Sequence, residues 1–240
     1  MAAGHIVAMG GGGFLMEPDN PLLDDYVLSL APRQPARVCY LPTAMGDSAT
    51  HITRFYRAFS GRCTPTDLTL FSTAALPRRP ATTAELADFV AAQDVFYVGG
   101  GNTVHLLALW RAHGLDQLLR RAWEGGAVLS GVSAGMLCWF SGGMTDSFGG
   151  VDAIRDGLGL LPGSACPHYD GEPLRRPAYQ RAIAAGLPGG HAADDGAALH
   201  FSGDRLVGAV SSRPAARAYE VRLEAGAVVE TALPTRYLGA

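Results

Sequence analysis

Ser133 is the residue whose neighbours best suit it to act as a nucleophile. It stands in Gly131-Val132-Ser133-Ala134-Gly135, between an apolar run (128–132) and a helix-compatible run (136–140). A strand that turns sharply into a helix at a serine lifts the hydroxyl above the carboxyl edge of a sheet, and small flanking residues leave room for the close packing of that turn. The Ala134 N–H, at the helix start, would then face a developing oxyanion. Taken alone, the five-residue pattern is equally compatible with an ordinary strand–helix turn in a Gly-rich chain.

A serine hydroxyl needs a general base within reach and a third group that fixes the imidazole tautomer. Of seven histidines, His5, His51, His105 and His113 read as strand, helix or surface residues, and His191 and His200 fall near the late β segment. His168 differs, because Ser164-Ala165-Cys166-Pro167-His168-Tyr169-Asp170 is loop-like and lies downstream of the serine. Loops on a rigid scaffold commonly carry catalytic groups. For the acid, Asp146, Asp152, Asp156, Asp170, Glu172, Asp194 and Asp195 all compete, and spacing alone does not choose. Asp146 is favoured for its closeness to the elbow helix; Asp194-Asp195-Gly196 reads equally well as a turn before the last strands. A second Gly-rich strand end, Gly99-Gly100-Gly101-Asn102-Thr103, lacks both the G-x-G-x-x-G spacing and the lysine of a phosphate loop. A cradle of amide N–H groups for an acyl intermediate is its better use.

These residues need a scaffold, and the chain supplies the pattern of one. Apolar runs at 5–9, 37–42, 67–71, 94–98 and 128–132 alternate with helical patterns at 47–59, 83–92, 103–112 and 115–124. That rhythm predicts an α/β fold with a mostly parallel central sheet and helices on both faces. Ligands of such sheets bind outside the carboxyl ends of the strands, where the three Gly-rich ends (10–13, 99–101, 131–135) would meet. Beyond residue 196, short β-type runs at 197–201, 206–211, 218–223 and 228–231 predict a C-terminal antiparallel β extension. No repeat or low-complexity linker divides the 240 residues, so one catalytic domain over 1–240 is expected.

Composition removes other classes. The chain is 48% hydrophobic and 17% charged, which suits a large core. A net charge of −3 and the lack of any basic, aromatic-interleaved run argue against nucleic-acid or anionic-membrane binding. Every one of the 19 basic residues is arginine. Cys39, Cys63, Cys138 and Cys166 form no C-x-x-C pair, so neither a metal centre nor a redox motif is expected. The first residues lack the charge and apolar length of a leader, and no run reaches 18 apolar residues. A cytoplasmic protein is the expectation; a homodimer is compatible with its size, though nothing identifies an interface.

Together, Tyr97-Val98-Gly99-Gly100-Gly101-Asn102-Thr103, Gly131-Val132-Ser133-Ala134-Gly135 and Cys166-Pro167-His168-Tyr169 resemble the peptidase E family of S51 serine peptidases, a relative of the class I glutamine amidotransferase fold. The likeness runs from about residue 5 to about residue 225. It implies Ser133 as nucleophile, His168 as base and Asp146 as third member, although the stretch from Ser133 to Asp146 is a residue or two shorter than in well-known members. The oxyanion donors would be the N–H groups of Ala134 and of Gly100 or Gly101. The resemblance also implies cleavage of dipeptides with an N-terminal aspartate, without metal or cofactor. Arg175 or Arg176 would read the substrate carboxylate, Glu172 or Asp170 the free amine, and Asn102 would join the substrate site. Two alternatives remain at this stage: a cyanophycinase-like or other small amide hydrolase, and a non-catalytic amidotransferase-like binding domain. A glutamine amidotransferase proper would carry cysteine at the elbow, where this chain has Ser133.

Overall fold

A computed structural model describes residues 4–71 and 82–239. Residues 1–3, the head of the segment read as lacking a leader, lie outside the described residues. The strands are β1 (His5–Met9), β2 (Arg37–Leu41), β3 (Thr64–Asp67), β4 (Val95–Val98), β5 (Val128–Val132), β6 (Phe140–Thr145), β7 (Asp152–Ile154), β8 (Leu161–Cys166), β9 (Gly190–Ala193), β10 (Ala197–Ser202), β11 (Arg205–Ser211), β12 (Ala218–Glu224), β13 (Ala227–Ala232) and β14 (Thr235–Tyr237). The helices are α1 (Gly13–Met16), α2 (Leu22–Ser29), α3 (Ala49–Phe59), α4 (Thr83–Ala91), α5 (Thr103–His113), α6 (Leu115–Glu124), α7 (Ala134–Leu137) and α8 (Arg175–Ala184).

The main sheet has the order β14-β11-β10-β1-β5-β4-β2-β3. Its centre, β1, β5, β4, β2 and β3, is parallel, and β10 runs antiparallel against β1. The apolar runs are continuous because both faces are covered. Along β1, Ile6 and Ala8 pack into the core on one face while Val7 and Met9 pack into the core on the other. On the second face Phe14 of α1 meets Tyr40, Phe55, Phe59 and Tyr97 edge-on, with ring centroids 5.2 to 5.8 Å apart. That cluster anchors both α1 and α3 over the sheet.

The α/β expectation and its parallel centre hold, and the periodic helices fall close to where the sequence places them. Three features differ. Strand β3 lies at Thr64–Asp67, just before the apolar run at 67–71. Helices α1 and α2 were not foreseen, α1 being only four residues long, and Arg175-Arg176 open α8, which buries a single narrow stripe. Residues 140–232 also build a second sheet, β13-β12-β9-β8-β6-β7. The late strands are therefore divided: β10, β11 and β14 extend the main sheet, and β12 and β13 belong to the second. Among the described residues no helix is long and apolar enough to cross a membrane.

Candidate active site

Strand β5 ends at Val132, and the chain reverses at Ser133 with φ 58° and ψ −111°, a conformation that side chains rarely adopt. The two flanking glycines follow from this turn. A Cβ on Gly131 would lie 2.5 Å from the Gly135 carbonyl oxygen, and one on Gly135 would lie 2.8 Å from the Val98 Cβ. Only hydrogen at those positions lets α7 fold back across β5 and β4. The Ser133 N–H donates to the Met9 carbonyl at 3.1 Å, and the Met136 and Leu137 N–H groups donate to the Ser133 carbonyl. The strained turn is thus held from both sides.

His168 comes from the other sheet. In β8 and β9, which run parallel, Cys166 lies beside Ala192. The chain leaving β8 therefore reaches His168 next to where the chain leaving β9 reaches Asp195. His168 also has positive φ, 54°, and its N–H donates to the Gly10 carbonyl at 3.3 Å. The His168 Nδ1 lies 2.6 Å from the Asp195 Oδ1, with side chains 13% and 16% exposed. Asp195 is itself fixed: its N–H donates to Asp170 Oδ1 at 2.8 Å, and it bridges to Gly11. A Cβ on Gly11 or on Gly171 would collide with its carboxylate. The Gly10–Gly13 strand end therefore serves as the floor of this histidine–carboxylate pair.

The structure brings Asp195, and not Asp146, against His168. The second sheet places β8 between β9 and β6, so Asp195 and Asp146 emerge on opposite sides of His168's strand. Asp146 is 59% exposed in its side chain and pairs with Arg175 at 3.3 Å. Asp170 supports Asp195 from behind. Asp194 accepts from the Arg217 N–H at 2.9 Å and closes the turn into β10, and burial raises its pKa.

Ser133 and His168 line one cavity of about 220 Å³ together with Gly100, Gly101, Leu15, Met16, Met45 and His51. Its walls are largely apolar. A Cβ on Gly100 would come 3.3 Å from the Ser133 Cβ and 3.8 Å from its Oγ, so the Gly-rich end of β4 faces the serine directly. Among the described residues the N–H groups of Gly100, Gly101 and Ala134 have no acceptor. Gly101 has φ 128° and sits against the Ala44 carbonyl, so it admits no side chain. Gly100 has no such backbone demand. Gly100→Ala is expected to keep the melting temperature within about 3 °C while lowering kcat at least tenfold, through crowding at the Ser133 hydroxyl. Thermal unfolding and steady-state kinetics on one preparation check both halves.

The residues assigned to the substrate are otherwise engaged. Arg175 is 2% exposed; its Nε donates to Glu172 Oε2 at 2.5 Å and a second nitrogen to the Met144 carbonyl at 3.1 Å. Glu172 is its partner, not a free amine receptor. Arg176 pairs with Glu230 and lies over the rings of Tyr169 and Tyr219, 5.1 Å from each centroid. The Asn102 side chain accepts the His105 N–H at 2.9 Å as the N-cap of α5 and donates to the Ser147 carbonyl at 3.2 Å. Each group joins neighbouring elements. Four cavity residues were missed, Leu15 and Met16 of α1 among them. His51 was read as structural, and Met45 follows β2 in a segment with no chemical signature. Among the described residues no cluster of three or more metal-ligating side chains exists.

Comparison with known proteins identifies the family and the fold. The sequence profile of peptidase family S51 matches residues 6–208. The chain is 52% identical over 237 residues to the Uncharacterized peptidase YgaJ of Bacillus subtilis (strain 168), covering 98% of this chain and 99% of that protein. A crystal structure of a peptidase from an acI-B1 Actinobacterium superposes with a TM-score of 0.69 at 18% identity, covering 96% and 98% of the two chains. A putative peptidase E protein from Listeria monocytogenes EGD-e superposes with a TM-score of 0.56 at 17% identity and the same coverage. The two solved structures speak for the fold, and the profile and the relative for the family: the chain belongs to the S51 peptidases, a family of serine peptidases.

Proposed function

We propose that the chain is a serine exopeptidase acting on dipeptides and other short peptides through Ser133, His168 and Asp195. The observation that carries this reading is a conjunction. Ser133 and His168 both hold positive φ, both line one cavity, and the histidine's Nδ1 rests on a fixed carboxylate at 2.6 Å. Backbone strain of about 1–3 kcal/mol per residue persists only where the surroundings over-determine it, and it concentrates at functional sites.

The chemistry follows from that placement. With Nδ1 occupied by Asp195, Nε2 is the ring nitrogen left to take the Ser133 proton as Oγ attacks the scissile carbonyl. The N–H groups of Ala134 and of Gly100 or Gly101 stabilise the oxyanion. His168 then returns the proton to the leaving amine. Water, deprotonated by the same nitrogen, hydrolyses the acyl ester and regenerates the hydroxyl. A cavity of this size suits a single residue on the acyl side, which favours exopeptidase action on short chains.

The finer preference, an N-terminal aspartate, is the first substrate to test. A cyanophycinase-like preference for arginine has less support, because among the described residues no carboxylate lines the cavity. A purely binding role leaves the two strained residues without a purpose. A panel of Asp-X, Glu-X, Ala-X and β-Asp-Arg dipeptides, read by amino-acid release, separates the substrate readings. Labelling with a fluorophosphonate, followed by peptide mapping, is expected to modify Ser133. Hydrolysis that persists with Ser133 unlabelled would overturn the reading.

A further inference from the structure

With Arg175 and Arg176 held in structural pairs, the Ser133 cavity needs another source of charge if its substrate is acidic, and α3 provides one. His51, Arg54 and Arg57 recur every three residues along that helix and so share one face. Leu15 and Met16, which wall the Ser133 cavity, also wall a second cavity of about 500 Å³ whose far side is formed by Arg54 and Arg57. The two hollows adjoin at Leu15 and Met16, with the serine lining one and the two arginines lining the other. Arg54 and Arg57 also border a third hollow, of about 330 Å³, beside Thr50 and Thr53.

Neither arginine forms an ion pair among the described residues. His51 lines the serine's hollow. Its Nδ1 is buried without a hydrogen-bond partner among the described residues. Burial, aided by the Arg54 charge, holds its pKa below the ordinary 6.5, so it adds a polar wall but little positive charge at neutral pH. The free charge of the two hollows belongs to the two arginines.

We propose that Arg54 and Arg57 form a carboxylate subsite of the Ser133 site, which takes a carboxylate of a short peptide while its scissile carbonyl lies at the serine. The assignment rests on the reading of Ser133 as nucleophile. Guanidinium groups suit the task because they offer paired N–H donors to a carboxylate and keep their charge at any working pH. The carboxylate is supplied by an acidic side chain or by the peptide's C-terminus.

The test is the double variant Arg54→Gln/Arg57→Gln in the full chain. It is assayed on an Asp-X dipeptide, on the same dipeptide as its C-terminal amide, and on the matching Asn-X dipeptide. The parent is expected to favour whichever form keeps the recognised carboxylate, by roughly tenfold or more in KM, with a preference that weakens as salt rises. The double variant is expected to lose that preference through KM, with kcat kept within about threefold. The arm in which the preference disappears names the carboxylate: the amide arm the C-terminus, the Asn arm the side chain. A parent with no preference for either carboxylate, or a double variant with unchanged KM values, overturns the subsite even if Ser133→Ala is inactive. Full activity in Ser133→Ala would instead remove the nucleophile assignment on which it rests.

Discussion

Ser133→Ala is expected to lower kcat by about 10⁴–10⁶, and Asp195→Asn by about 10³–10⁴, with both variants folding like the parent. Asp146→Asn, by contrast, is expected to stay within about threefold. The argument for Asp195 is one of tautomers. The carboxylate accepts from His168 Nδ1 at 2.6 Å and so leaves Nε2 unprotonated and able to receive the serine proton. An asparagine of the same shape can turn its amide toward the ring and donate to Nδ1. The ring proton then moves to Nε2, where it blocks proton transfer although every heavy atom stays in place. Nothing of this kind follows at Asp146. Its partner Arg175 keeps Glu172 and the Met144 carbonyl when that carboxylate is neutralised.

Steady-state kinetics on the three variants, with thermal unfolding as a control, decides the matter. A large loss in Asp146→Asn together with a small one in Asp195→Asn would return the carboxylate role to Asp146. The strained positions bear on the control. Ser133→Ala keeps a Cβ at φ 58°, so it removes the hydroxyl without relaxing the elbow. A glycine there would relieve the strain and confuse the loss of chemistry with a change of backbone.

How far the chain could be read beforehand depended on whether a feature was local. The elbow was legible because its demands fall within five residues: Gly131 and Gly135 are small for reasons that act across one turn. Strands β1, β4 and β5 were legible because burial on both faces leaves an unbroken apolar run. Helix α4 was legible from its cap, where Thr82 accepts the Glu85 N–H and Glu85 accepts the Thr82 N–H. His168 was found through its loop and its resemblance. Its carboxylate was not, because Asp195 lies 27 residues away and meets it only through the parallel pairing of β8 with β9. Nothing in Asp194-Asp195-Gly196 distinguishes the residue that closes a turn from the one that faces the histidine. The partners of the arginines were hidden for the same reason. Arg175 and Arg176 stand at the right distance in sequence, but burial and Glu230, 54 residues on, commit them elsewhere.

A second large effect is expected from a group outside the chemistry, Asp24, which lies beneath the Gly-rich floor of the site. It is 2% exposed, accepts the Tyr97 hydroxyl at 2.9 Å, and packs below Gly13. Burial raises its pKa from 3.8 to about 7, against the opposing pull of the Tyr97 hydrogen bond and the Arg62 charge. An acid whose pKa is higher folded than unfolded favours the folded state fully below about pH 4, where both forms are protonated. That contribution is lost as pH rises, because the unfolded chain has released the proton while the folded chain still holds it, and the loss is complete above about pH 7. At about 1.4 kcal/mol per pH unit the swing attributable to Asp24 is on the order of 4 kcal/mol. Asp24→Asn removes the titration while keeping an oxygen for Tyr97. Its stability relative to the parent is therefore expected to rise steadily between pH 4.5 and pH 7.5, measured by urea unfolding at several pH values. Parallel stability profiles for the two proteins would show that Asp24 is ionised in the folded state throughout. Because Gly10 and Gly11, just ahead of Gly13, hold His168 and Asp195, Asp24 in its protonated form keeps a buried negative charge away from the floor on which the histidine–carboxylate pair rests.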